Sequence, residues 1–237
     1  MMSTEILAFI ALAVFVGTFI QGATGMGFAL IVAPVLGILK PELLPAGLLL
    51  LMLPLNAYVA WREWQALDRH GVKWITAGRT AGTFGGLAVL VALPASALNI
   101  LIGLTTILAA VATLILPSFS PKKSAFLSTG IFTGITETAT GIGGPPLALV
   151  YQHMPAATLR SSVALCFLLG EIISLVVLAI SGRIDVTTFT SLAWVLPPLV
   201  IGLVASHVVY RKINARYLRI AVLTFAIVSG LFILVYH

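Results

Sequence analysis

The stretch GITETATGIGGPPLAL, Gly134 to Leu149, decides how this chain is read. A glutamate, threonines, glycines and prolines interrupt a run that would otherwise make an apolar helix. Its core, Ala139-Thr140-Gly141-Ile142-Gly143, nearly repeats Ala23-Thr24-Gly25-Met26-Gly27, 116 residues earlier. Around both motifs the 237-residue chain is 60% hydrophobic and only 8% charged, with mean hydropathy +1.14. Soluble domains carry about 25% charged residues, so the composition describes an all-α polytopic membrane protein with little mass outside the lipid.

Turn and charge signals cut the chain into ten apolar segments, at 5–21, 25–39, 42–61, 75–93, 97–117, 124–137, 145–152, 157–182, 187–208 and 215–236. A full crossing needs about 20 helical residues. Segments three to five and eight to ten meet that length; the pairs one–two and six–seven do not, and their glycine-rich joins read as re-entrant hairpins. Irregular backbone persists at membrane depth only where protein or a water-filled cavity surrounds it. The first segment lacks a basic leading region and resembles the segments after it, so it reads as part of the membrane domain rather than a signal peptide.

If each hairpin returns to the side it left, one side of the membrane receives Arg62, Arg69, Lys73, Lys122, Lys123, Arg160, Arg211, Lys212, Arg216 and Arg219. The other receives only Lys40 and Arg183. The positive-inside rule makes the richer side cytoplasmic and puts both termini outside, in the periplasm if the lipid is a bacterial inner membrane. The net charge of +6 is thereby an orientation signal rather than a nucleic-acid footprint. Trp61, Trp64 and Trp74 form an interfacial belt on that side.

The halves correspond beyond the two motifs. Asn56 matches Glu171 at a spacing of 115, and Gly82 matches Gly202 and Leu98 matches Leu218 at 120. Each half, 1–117 and 124–237, is then a hairpin followed by three spans. Three is odd, so the halves have inverted topology, an arrangement that places a substrate site near the midplane. Both hairpin tips are expected to converge there.

A helix N-terminus presents free N–H groups and about half a positive charge, and Pro145 and Pro146 suit a first helical turn. The amides of Gly141, Gly143, Gly144 and Pro145's turn, with Gly25 and Gly27 in the other hairpin, are expected to hold a small oxyanion. Thr24 and Thr140 add hydroxyls. Gln21, which matches Glu137, and Asn56 complete the polar set. Glu137 and Glu171 lie far from any loop, and a carboxylate at such depth is either a proton-coupling group or a hydrogen-bonded tie between helices. Arg79, about one turn inside segment four, either draws anions into an inner vestibule or snorkels to the headgroups. Gln152 and His153 end the second hairpin, either at the surface or lining that vestibule.

Cys166, the sole cysteine, excludes an intrachain disulfide and a thiolate metal cage. No serine–histidine pair, aspartate pair or H-E-x-x-H helix occurs at matching depth, so neither an enzyme nor a cofactor is expected. The partners expected are a small anion, protons and lipid, with no nucleic acid; a passive anion channel is the competing reading.

The stretches FIQGATGMGFALIVAPVL (19–36), TGITETATGIGGPPLALVY (133–151), RSSVALCFLLGEIISLVVLAISGRID (160–185) and YLRIAVLTFAIVSGLFIL (217–234) resemble the TauE/SafE, or sulfite exporter, family of bacterial membrane transporters. The resemblance covers essentially the whole chain. It implies export of small sulfur-containing anions such as sulfite or sulfonates, with other organic anions handled by some members, coupled to protons.

Overall fold

A computed structural model describes residues 4–115, 121–151, 154–184 and 192–210, with positions 220, 224, 227, 228, 231, 234 and 235 of the last segment. Gln152, His153, Arg211, Lys212, Arg216, Leu218 and Arg219 lie outside the described residues. The molecule is an all-α polytopic membrane protein. Among the described residues its helices include α1 (Thr4–Thr24), α2 (Phe28–Leu39), α3 (Ala46–Arg62), α4 (Arg69–Ala92), α5 (Ala95–Ile115), α6 (Lys123–Thr140), α7 (Gly144–Tyr151), α8 (Ala156–Ile180) and α9 (Leu196–Val209). Among the described residues three helices, Glu5–Thr24, Arg69–Ala92 and Ala156–Ile180, are long and apolar enough to cross a membrane. Phe9, Phe84, Phe132, Ile180 and Val208 project outward from the bundle, where lipid and not water is their solvent.

Two boundaries differ from the sequence expectation, because the helices run past the polar residues at the ends of segments one and six. Segment one was cut at Gln21 and segment six at Glu137. Both helices continue to a threonine and stop at a glycine with positive φ, Gly25 (89°) and Gly141 (81°). Glycine reaches that conformation without the Cβ clash that other residues meet. Consequently α1 has the length of a full crossing. Helix α4 begins six residues before the expected position because Asp68 caps it, accepting the N–H of Gly71 at 3.0 Å.

Helix directions follow from paired contacts. Gly78 of α4 meets Leu127 and Gly86 meets Ile135, so α4 and α6 run parallel. Phe15 and Thr18 meet Gly202 while Gly22 meets Ser206, so α1 and α9 do the same. Helices α3 and α8 are antiparallel, joined by Glu63–Arg160 at one end and Asn56–Glu171 further along. Helix α8 runs with α4, from Asp68–Ser162 to Arg79–Cys166. Thus α1, α3 and α9 point one way and α4, α6 and α8 the other. The α4–α6 seam is backbone on backbone: a Cβ on Gly82 would overlap the carbonyl of Ile131, and one on Gly130 the carbonyl of Ile75. Small residues at helical spacing permit this approach in a bilayer, where dispersion and not hydrophobicity drives helix association.

Candidate functional site

Both motifs build the same turn. The N–H of Gly25 donates to the carbonyl of Gln21 at 2.7 Å, and that of Gly141 to the carbonyl of Glu137 at 2.7 Å. The Thr24 hydroxyl donates to the carbonyl of Ile20 at 2.9 Å and accepts from the Met26 N–H at 3.4 Å. The Thr140 hydroxyl donates to the carbonyl of Thr136 at 2.7 Å and accepts from the Ile142 N–H at 3.2 Å. The threonines therefore turn the chain. Each hydroxyl satisfies backbone groups that the helix end leaves open.

The turns at Gly25 and Gly141 lie apart. The first tip sits where α3 ends and α8 begins: Arg62 donates to the Gly22 carbonyl at 2.7 Å, and Gly25 packs on Arg160. The second tip sits at the opposite end of the same two helices. Gly141 packs on Leu48, and Thr138 bonds Ser174 at 2.8 Å. Residues 48 and 62, like residues 160 and 174, are fourteen apart, or about 21 Å of helix on either ruler. Gly25 and Gly141 therefore occupy two separate places, and Gly143 packs on Glu137 between them. Gly144 opens α7 against Phe167, and Pro145 is the second residue of that helix.

Between the tips, five of the expected side chains meet. Gln21, Asn56, Arg79, Glu137 and Glu171 are all essentially unexposed. Gln21 accepts the N–H of Phe28, the first residue of α2, at 3.0 Å, and its amide donates to Asn56 at 2.7 Å. The Asn56 amide in turn donates to Glu171 Oε1 at 2.7 Å. Glu137 faces Arg79, with NH2 2.7 Å from Oε1, while its other oxygen lies where a Cβ on Gly143 would stand. Each half-helix N-terminus is thus covered by a side chain from the arm before it, Gln21 in one half and Glu137 in the other.

Arg79 is placed by neither sequence reading. It stands ten residues into α4, fully buried, rather than in a vestibule or at the headgroups. NH1 donates to the Cys166 carbonyl at 2.9 Å, and the guanidinium lies directly on Gly170, where any Cβ would overlap it. The ring of Phe167 is 5.9 Å away. Among the described residues Arg79 Nε, Glu137 Oε2 and Glu171 Oε2 have no hydrogen-bond partner; the buried hydroxyls of Thr83 and Thr133, one turn from Arg79 and Glu137, have none either. Unmatched donors and acceptors on one guanidinium and two carboxylates can coordinate a polar, charged solute.

Compared with known proteins, the chain matches the family described as Sulfite exporter TauE/SafE over residues 9–233. The chain belongs to the TauE/SafE family. It is 26% identical over 197 residues, 78% of this chain and 77% of the relative, to the probable sulfite/organosulfonate exporter TauE of Cupriavidus necator. No solved structure matches it.

In this TauE/SafE protein, sequence reasoning missed Thr83, Thr133, Gly170 and the Cys166 carbonyl. Two signals pointed to them: the stripe Gly78-xxx-Gly82-xxx-Gly86 that flanks Arg79, and the glycine immediately before Glu171. A small residue beside a buried ionisable one makes room for a long side chain from a neighbouring helix.

Proposed function

We propose that this chain is a secondary transporter that exports a small sulfur-containing oxyanion, sulfite or an organosulfonate, together with a proton. The observation that carries the reading is the Arg79–Glu137 pair, an unexposed guanidinium 2.7 Å from a carboxylate deep in the bundle. A sulfite or sulfonate oxygen resembles, in charge and geometry, the carboxylate oxygen that Arg79 already holds. When the anion takes that place, Glu137 is left among apolar walls, Cys166 and Glu171, and stays there by taking up a proton. A monoanion such as a sulfonate then binds and leaves together with one proton, moving no net charge, and its own accumulation inside drives the export against the inward proton gradient.

Inverted repeats supply the alternation. Their support is the opposite direction of each matched pair, α1 and α6, α3 and α8, α4 and α9, and the packing of each hairpin arm on the other half's second span. Rocking along the α4–α6 and α1–α9 seams would expose Arg79 to one side and then the other. The clustering of Arg62, Arg160, Lys73 and Lys123 at one end of the bundle supports a cytoplasmic assignment for that end, with both termini in the periplasm of a bacterial inner membrane.

Proteoliposomes test the proposal. Wild-type protein should concentrate a labelled sulfonate when a pH gradient is imposed, with no response to an imposed membrane potential. Glu137→Gln should retain anion flux and lose the response to pH, and Arg79→Gln should abolish flux. Flux that only ever runs down the anion's own gradient would instead identify a passive channel.

A further inference from the structure

A second buried guanidinium has free donors at the first hairpin tip. Arg62 closes α3 with its side chain only 5% exposed. NH2 holds the Gly22 carbonyl, while Nε and NH1 have no partner among the described residues. Glu63 is 3.8 Å away, yet both of its oxygens are held by Arg160, from Nε at 2.7 Å and from NH2 at 2.5 Å. The Tyr210 ring lies 4.1 Å from the Arg62 guanidinium and 5.3 Å from that of Arg160. Tyr58 and His207, hydrogen-bonded to each other, flank the same space. Among the described residues two guanidinium groups thus share one carboxylate, leaving one positive charge largely shielded from water.

We propose that Arg62 and Arg160 form a second anion site, a loading site at the basic end of the bundle that takes a small oxyanion before it reaches Arg79. The position suits that role. Asn56, on the same helix and six residues from Arg62, bonds Gln21, whose neighbour Gly22 is the residue that Arg62 holds. Arg62 is therefore about 9 Å from Asn56 along α3, and Arg160 about 15 Å along α8 from Gly170, on which Arg79 lies; the end of α1 joins the two sites. An arriving oxyanion meets two unpartnered N–H donors on Arg62, and Arg160 can turn its planar fork from Glu63 to the same anion. The aromatic ring beneath both guanidiniums keeps them close despite like charge.

This inference rests on anion transport being the activity, and the experiment separates the two. Purified full-length protein in detergent is titrated calorimetrically with methanesulfonate, and transport of the same anion is measured from each face in sided vesicles. Wild-type protein should bind two equivalents, Arg62→Gln one, and Arg79→Gln one. Arg62→Gln should raise KM by tenfold or more from the basic face, leaving KM from the opposite face unchanged. Arg62→Lys keeps a charge near Gly22 while deleting the two free donors, and should show the same one-sided rise if the glutamine variant does not fold. One equivalent in wild type, or a KM insensitive to Arg62 on both faces, overturns the loading site while leaving the central one standing. No binding at all overturns both.

Discussion

The Arg79–Glu137 pair makes a prediction about stability that is independent of transport. With charge centres about 4 Å apart and an effective dielectric of about 20, the attraction is about 4 kcal/mol. Most of that offsets the cost of taking both ions out of water. Removing one partner loses the attraction and strands the other charge, which costs about 3–5 kcal/mol. Arg79→Gln leaves Glu137 and Glu171 in the cluster with no cation, and Glu137→Gln leaves Arg79 with only the Cys166 carbonyl and the more distant Glu171. The double substitution leaves two neutral amides that can bond each other. Each single variant should therefore unfold at a lower SDS fraction in mixed micelles, with a reduced yield of monodisperse protein. The double variant should recover at least about 2 kcal/mol relative to the sum of the singles. Losses that simply add would show that the two residues do not act as a pair.

Four other substitutions probe the rest of the site. Thr140→Val removes a hydroxyl that serves the turn; it should cost about 1 kcal/mol and leave anion affinity by calorimetry unchanged, whereas a marked loss of affinity would restore the hydroxyl to the substrate. Gly82→Val drives a side chain into the Ile131 carbonyl and should abolish monodisperse protein on size-exclusion chromatography. Gly85→Ala, which meets only the Ile135 side chain, should elute as wild type does. Asn56→Leu leaves Gln21 Nε2 and Glu171 Oε1 unbonded; about 1–3 kcal/mol per stranded group should appear as a lower unfolding midpoint in the same SDS titration.

The membrane class, the paired motifs and four of the five central side chains were legible because each breaks a local rule. Gln21, Asn56, Glu137 and Glu171 are polar residues inside apolar runs, and the two copies of Ala-Thr-Gly-x-Gly interrupt helices at matching places. Depth was not legible. Gln21 and Glu137, where the first and sixth apolar segments end, sit inside their helices, one turn before the glycine stop. Thr24 and Thr140 show the same limit, since a hydroxyl at a helix end serves a turn or a ligand equally well by residue type. Arg79 was misjudged because the residues from His70 to Trp74 looked like a loop, until the Asp68 cap extended α4 and carried the arginine into the interior. Nothing local announced its partner. Glu137 is 58 residues away in the chain, and the α4–α6 seam that unites them is a contact between halves.

Proton uptake on anion binding tests the exchange at Arg79 most directly. Methanesulfonate carries no titratable proton near neutral pH, so a dye in weakly buffered detergent solution reports only the protein. Binding to wild-type protein at the central site should draw in about one proton per anion, and Glu137→Gln should bind the anion with no change in pH. Full anion binding by the wild type without any uptake, or undiminished uptake by the glutamine variant, would contradict the account.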